Sequence, residues 1–235
     1  MRRAVLPLAF LAACRCDVPP RVIDAGLPPC AELGGVRAGE ATFYDPGQRG
    51  KCSFQQAPDE LVAAMNRTDY GDAVACGACA EVEGPRGAVV VRVVDRCSGC
   101  GDGNLDLARA AFARIADLDA GRVPIRWRWV PCPVDGPLRY RFKDGSNPDW
   151  TALQVRNHRH AIARLDARLA DGTWRTMARA DYNYFVSAAG LGPGPYTFRI
   201  TDVHGLVVQD VGIAAGDAVE RAGLAQLPPC AAAPR

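Results

Sequence analysis

The chain has 235 residues, 49% hydrophobic and 23% charged, which are globular values that imply a packed core and exclude a disordered polypeptide. Its length suits one large or two small domains. The formal net charge is +2, and removal of a leader carrying Arg2 and Arg3 brings basic and acidic residues to parity, which argues against a nucleic-acid surface.

Met1 to Ala13 has a basic start and a short apolar run ending in small residues. That run is too short to span a bilayer and has the form of a signal peptide. Leu11-Ala12-Ala13-Cys14 resembles the cleavage box of bacterial lipoproteins, which makes Cys14 the lipidation candidate and residues 1–14 the leader; ordinary secretion is the alternative. Residues 15–36 are rich in proline and glycine and read as a tether. Either route exports the chain to an oxidising compartment, at the outer membrane or cell surface or beyond it, where disulfides persist.

Ten cysteines are present. Cys76, Cys79, Cys97 and Cys100 have a spacing that also suits a zinc ribbon. Export and the presence of Cys52 and Cys132 in the same segment favour disulfides, and no metal site is expected. A redox role for Cys97 and Cys100 lacks a thioredoxin-like context. With Cys14 lipidated, Cys16 is the candidate odd thiol. Cys30 and Cys230 lie in the near-identical contexts LPPCAE and LPPCAA and can clip the two ends of the folded region together.

Gly39 to Asp45 reads as a strand with aromatic content, and Pro58 to Asn66 as a short helix with proline and acids in its first turn. Ala80 to Glu83 forms a strand, and Gly84-Pro85-Arg86-Gly87 a turn into the β-branched run Val89 to Val94. That strand delivers Asp95 to its end. A glycine-rich loop pinned by Cys97 and Cys100 follows, and then Asp106. Two carboxylates at the mouth of one loop suit acid or base chemistry on a sugar. The alternative is structural: Asp95 capping a turn and Asp106 serving the next helix. Leu107, Ala111, Ile115 and Leu118 share one helical face, and Val123 to Val130 alternates as a half-buried strand with Trp127 and Trp129 toward the core. Several short strands and two small helices suggest a closed β-barrel over 37–133.

Pro131 to Pro137 is a stiff boundary. Beyond it, over 134–230, come strands at Leu138–Phe142, Ala152–Asn157, Ile162–Leu169, Trp174–Met177, Tyr184–Ser187, Tyr196–Thr201 and Leu206–Val211, with a hairpin turn at Ala170–Thr173. Regular spacing without helices reads as a β-sandwich. Trp174 is assigned to its core. His158 is read as a hydrogen-bonded structural side chain, since three scattered histidines do not make a metal site.

The runs GEATFYD, ACGAC, EVEGPRG, VVVRVVDRC and LDLARAAFARIADL fall in an order that resembles the barrel domain of expansins, bacterial ones most closely. RYRFKDGSNPDWTALQVRNHRH and DGTWRTMARADYNYFVS resemble the family's C-terminal carbohydrate-binding module. The resemblance implies a mainly β protein, a six-stranded double-psi β-barrel followed by an immunoglobulin-like β-sandwich. It implies that Thr42, Asp95 and Asp106 are polar groove residues, with Asp106 like the acid-side carboxylate of family 45 glycoside hydrolases. It also implies that Trp150 and Tyr182 are stacking rings and Lys143 a nearby polar contact. By likeness to plant and fungal members the disulfides are Cys52–Cys76, Cys79–Cys132 and Cys97–Cys100.

The family implies non-hydrolytic loosening of cell walls by a monomer that binds cellulose or a related β-glucan, xyloglucan or peptidoglycan, with no cofactor and no nucleic acid, and with a membrane touched only through the lipid anchor. Three departures stand out. Cys97 occupies the place of a usual aromatic, Ala108 that of a serine helix cap, and Asp149 that of a tryptophan before Trp150. Two rival readings are a lytic transglycosylase of peptidoglycan, where one aspartate suffices, and a pure carbohydrate-binding protein.

Overall fold

The computed structural model describes Cys30 and residues 34–47, 49–57 and 59–230; Cys14 and Cys16 lie outside the described residues. Six strands close a barrel in the order β1 (Arg37–Tyr44), β5 (Leu105–Ala108), β2 (Val62–Asn66), β4 (Gly87–Cys97), β3 (Cys79–Gly84) and β6 (Val123–Val130). β1 pairs with β5, and β2 with β4, in parallel; the other pairings are antiparallel. Val82, Val91, Val93, Leu105, Leu107, Ile125 and Trp127 fill the interior. Helix α2 (Arg109–Ile115) closes on this core through Ala111, Phe112 and Ile115.

The stretch expected as a helix over Pro58–Asn66 is different. Its described part holds the central strand β2, in which all five residues are buried. Alanine-rich sequence favours a helix in isolation, but here two neighbouring strands satisfy the backbone and leave no solvent face for an amphipathic helix. Asn66 instead caps the following turn α1 (Arg67–Tyr70), its side chain accepting from Asp69 N at 3.0 Å. Leu107 belongs to β5 and not to the helix after it. Ala108 is the N-cap of α2 and makes no side-chain cap hydrogen bond, so the helix starts without the hydroxyl that a serine would supply.

The second half is two packed sheets. One has the order β10 (Trp174–Thr176), β9 (Ile162–Arg168), β13 (Tyr196–Asp202), β14 (Val207–Ile213); the other β11 (Ala178–Arg179), β12 (Phe185–Ser187), β8 (Thr151–Arg156), β7 (Arg139–Phe142), β15 (Glu220–Ala222). Tyr140, Phe142, Leu153, Leu165, Phe185 and Phe198 form the core between them. β11 and β15 are short edge strands with no alternating apolar pattern, so periodicity did not mark them. Trp174 is a correction. It sits half-buried on the edge strand β10, away from the core, with the Arg199 guanidinium 4.5 Å from its ring centroid.

The halves meet at Gly77 and His158. Gly77 has φ +78°, and a Cβ there would collide with His158 Nε2 and lie 3.2 Å from Phe54 Cζ. Gly77→Ala is expected to destabilise by about 2 kcal/mol or more, combining left-handed strain with overpacking, read as a lower urea midpoint. A midpoint within error of wild type would mean that the junction yields freely.

His158 is buried, and its Nδ1 donates to His160 O at 2.7 Å. Burial, followed by the charge of Arg92, pushes its imidazole down to about 3. The unfolded chain therefore binds the proton first. Stability is expected to fall as pH drops from the ordinary imidazole value toward that depressed one, and His158→Gln should flatten the slope of urea midpoint against pH in that window.

Candidate functional site

One row of positions crosses four barrel strands. Thr42 on β1 pairs with Asp106 on β5, Asp106 with Ala64 on β2, and Ala64 with Asp95 on β4. Residues in register share a face, and the flanking Ala41, Leu105 and Leu107 are fully buried, so the row faces outward. Asp95 joins it only because of a bulge. Val89, Val91 and Val93 point inward, and strict alternation would send Asp95 after them. The register instead shifts between Ala63 and Ala64, which pair with Val93 and Asp95 and leave Val94 as the extra residue. The bulge turns Asp95 to the outer face.

Thr42 Oγ1 donates to Asp106 Oδ1 at 2.6 Å. Burial raises the Asp106 carboxyl above the ordinary carboxylate range, against the opposing Thr42 hydrogen bond and Arg122 charge, while the Asp95 charge adds to the rise. Asp95 Oδ1 accepts from Lys51 N at 2.5 Å and from Arg96 N at 2.7 Å. This carboxylate holds a turn as well as standing in the row. Glu40 and Asp45 are each engaged on the surface, with Arg122 at 2.8 Å and Arg109 at 2.9 Å.

Sequence reading did not single out Tyr44. It lies two residues from Thr42 on the same face of β1, and its phenol is raised by burial and by the charges of both Asp95 and Asp106. It therefore remains a protonated hydroxyl, which donates to Gln56 Oε1 at 3.3 Å. Alternation along Thr42-Phe43-Tyr44 was the available signal.

The turn held by Asp95 also grips the sandwich. Lys51 Nζ pairs with Asp181 Oδ2 at 2.8 Å, Ser53 Oγ donates to Tyr182 O at 2.9 Å, and Gln154 Nε2 donates to Cys52 O at 2.7 Å. Tyr70 OH donates to Asp181 O at 2.8 Å. Residues 51–53 thus connect Asp95 of the row to the sandwich through hydrogen bonds and an ion pair.

Tyr182 is half-buried with its ring 5.8 Å from that of Tyr184, while Phe185 turns into the sandwich core. Trp150 is half-buried and immediately precedes β8, where an isolated bridge pairs it with Asn147. Antiparallel pairing of β12 with β8 sets Tyr182, in the turn that precedes β12, toward the end of β8 remote from Trp150. Asn147 Oδ1 accepts from Asp149 N and Trp150 N at 2.9 and 3.0 Å, which fixes the loop carrying Trp150. Lys143 lies beside it, with its N donating to Ala152 O at 2.9 Å.

Among the described residues four disulfides are formed: Cys30–Cys230, Cys52–Cys76, Cys79–Cys132 and Cys97–Cys100. Cys97 pairs in register with Asn66, so the last of these pins the loop that leads from Asp95 to Asp106.

A family model described as "Lytic transglycolase" matches residues 36–127. Expansin-YoaJ of Bacillus subtilis (strain 168) is 38% identical over 186 residues, spanning 77% of this chain and 79% of its own. Expansin-like protein 2 of Dictyostelium discoideum is 28% identical over 187 residues, spanning 74% of this chain and 46% of its own. Among solved structures, a mutant Clavibacter michiganensis expansin in complex with cellohexaose matches with a TM-score of 0.78 at 32% identity, covering 83% of this chain and all of that one.

Proposed function

The chain belongs to the expansin family, and on that premise we propose that it binds a β-linked glucan along the barrel groove and the sandwich face and loosens contacts between chains without cleaving them. The observation that carries this reading is the outward row Thr42, Asp106, Ala64, Asp95, joined to Tyr182 through the turn at residues 50–53. Small Ala64 leaves space between two carboxylates for a flat sugar. Thr42, Tyr44 and Asp106 supply donors and acceptors for its hydroxyls. Trp150 and Tyr182 offer apolar rings to pyranose faces, which are themselves flat and partly apolar. Cellulose is the favoured partner because a similar expansin binds cellohexaose; xyloglucan is a second β-glucan of the same chemistry. The protein acts as an exported monomer, anchored through Cys14.

Hydrolysis would need a second carboxylate free to activate water. Asp95 lies two strands from Asp106, and one of its oxygens is already engaged by two backbone N–H groups. That arrangement suits binding better than base catalysis. A lytic transglycosylase reading is favoured by one observation, the match of residues 36–127 to a model of that description. A single raised carboxyl such as Asp106 would suffice for it.

The test is extension of a cellulosic strip under constant load at mildly acidic pH, with reducing sugar and muropeptides measured in the supernatant. Extension without soluble product is expected. Muropeptide release would move the protein into the transglycosylase class. Trp150→Ala should weaken cellulose binding roughly tenfold, the equivalent of about 1.4 kcal/mol, with thermal stability retained; undiminished binding would remove Trp150 from the platform.

A further inference from the structure

Away from the groove, a cleft of about 750 Å³ runs between the barrel and the sandwich, lined among others by Arg37, Trp129, Val203, Cys30, His160 and His204. It contains none of the row or platform residues. At its edge, one ligand atom from each of Cys30, His160, His204 and Cys230 lies within 4.8 Å of the others. Two histidines that are far apart in sequence are neighbours in space, their rings edge-to-face at 4.9 Å.

The cluster is organised by a buried carboxylate. Asp202 closes β13 and uses Oδ1 to accept from His204 N and Leu206 N at 2.9 and 2.8 Å. Its Oδ2 engages His160 Nδ1 at 2.8 Å. His160 is nearly fully buried, and with Nδ1 taken, its Nε2 is aimed at Cys230 Sγ, 3.4 Å away. A carboxylate that fixes one imidazole nitrogen so that the other faces a ligand position is the usual support of a metal-binding histidine. His158, nearby in sequence, is committed to His160 O and takes no part.

In the structure the two sulfurs are bonded to each other. We infer that when this bond is open, Cys30, Cys230, His160 and His204 form a tetrahedral Cys2His2 site for a divalent cation of the zinc class, and that the disulfide is the metal-free, oxidised form of the same cluster. Two thiolates and two imidazoles are the donor set that zinc prefers. Opening the bond takes two equivalents of a small thiol, which leave as their own disulfide; two electrons and two protons pass to the sulfurs. The cation then displaces both protons and does not change oxidation state. Either form ties together residues 200 apart in sequence, so the ends of the folded region stay joined in both redox states.

The test uses the full chain reduced by a trialkylphosphine and titrated with Co2+. One equivalent should produce sulfur-to-cobalt charge-transfer bands and strong tetrahedral d–d bands, both displaced by Zn2+. Reduced His204→Ala, in which the half-buried ligand is removed, should bind Co2+ at least tenfold more weakly, and Cys30→Ser/Cys230→Ser should lose the one-equivalent spectrum. The oxidised chain should show neither band. Absence of thiolate–cobalt bands in the reduced chain overturns the inference. So do bands that persist unchanged in the double serine variant, since other cysteines would then be their source, and so does a reduced chain whose near-ultraviolet circular dichroism stays unfolded with the metal added.

Discussion

Replacing Asp106 by Asn should reduce wall extension at least tenfold while leaving the fold no less stable at neutral pH. The first half follows from position. Asp106 sits between Thr42 and Ala64 in the row, and its carboxyl is the group there whose proton affinity burial raises. Asn keeps the acceptor for the Thr42 hydroxyl but cannot exchange a proton or carry charge. The second half follows from linkage. A carboxyl whose folded pKa is raised holds its proton more tightly in the folded state, so ionisation at neutral pH lowers stability, which is regained as pH falls through the raised value. Asp106→Asn removes that penalty. Its melting temperature should match or exceed wild type at neutral pH, and the difference should shrink on acidification. A variant that extends walls normally would detach Asp106 from function. One that loses muropeptide release would instead favour the transglycosylase.

Cys79→Ala/Cys132→Ala should lower stability by about 4 kcal/mol, the chain-entropy expectation for a bridge spanning 53 residues. That corresponds to a fall in melting temperature of roughly 10 °C for a chain of this size. The bond joins the start of β3 to the segment leaving β6, both ends are buried, and Cys132 N donates to Arg159 O at 2.8 Å. Its loss loosens the barrel and its seat against the sandwich together. The Cys97–Cys100 bridge spans only 3 residues, so its removal should cost much less stability and act chiefly on the loop before Asp106. Equal losses from both pairs would contradict the loop-length argument.

Much of the architecture was legible where one face of an element is buried. Val123–Val130 alternates cleanly, and its bounds match β6. The hairpin at Ala170–Thr173 joins β9 to β10 as its turn residues implied. Reading failed where both faces are covered or neither is. β2 is buried all round, so Val62–Asn66 carries no period of its own, and local helix propensity pointed the wrong way. β15 and β11 lie at edges, where packing demands little of the sequence. Trp174, expected in the core, lies instead on an edge strand under Arg199.

The candidate site residues divide along the same line. Composition, the turn residues and the cysteine pattern by themselves pointed to a mainly β, disulfide-bridged chain and marked the pair Asp95 and Asp106; the order of motifs carried the resemblance to expansins, and that resemblance implied Thr42, Trp150 and Tyr182. Those signals are local, written within a few residues of one another. Tertiary structure alone decided that the bulge at Val94 turns Asp95 outward into the row of Asp106, and that Tyr44 stands near both carboxylates. It also decided that His160 and His204 gather at Cys30 and Cys230. Each depends on register between strands far apart in the chain, and register is set by closing a barrel or packing two sheets, which no local pattern encodes.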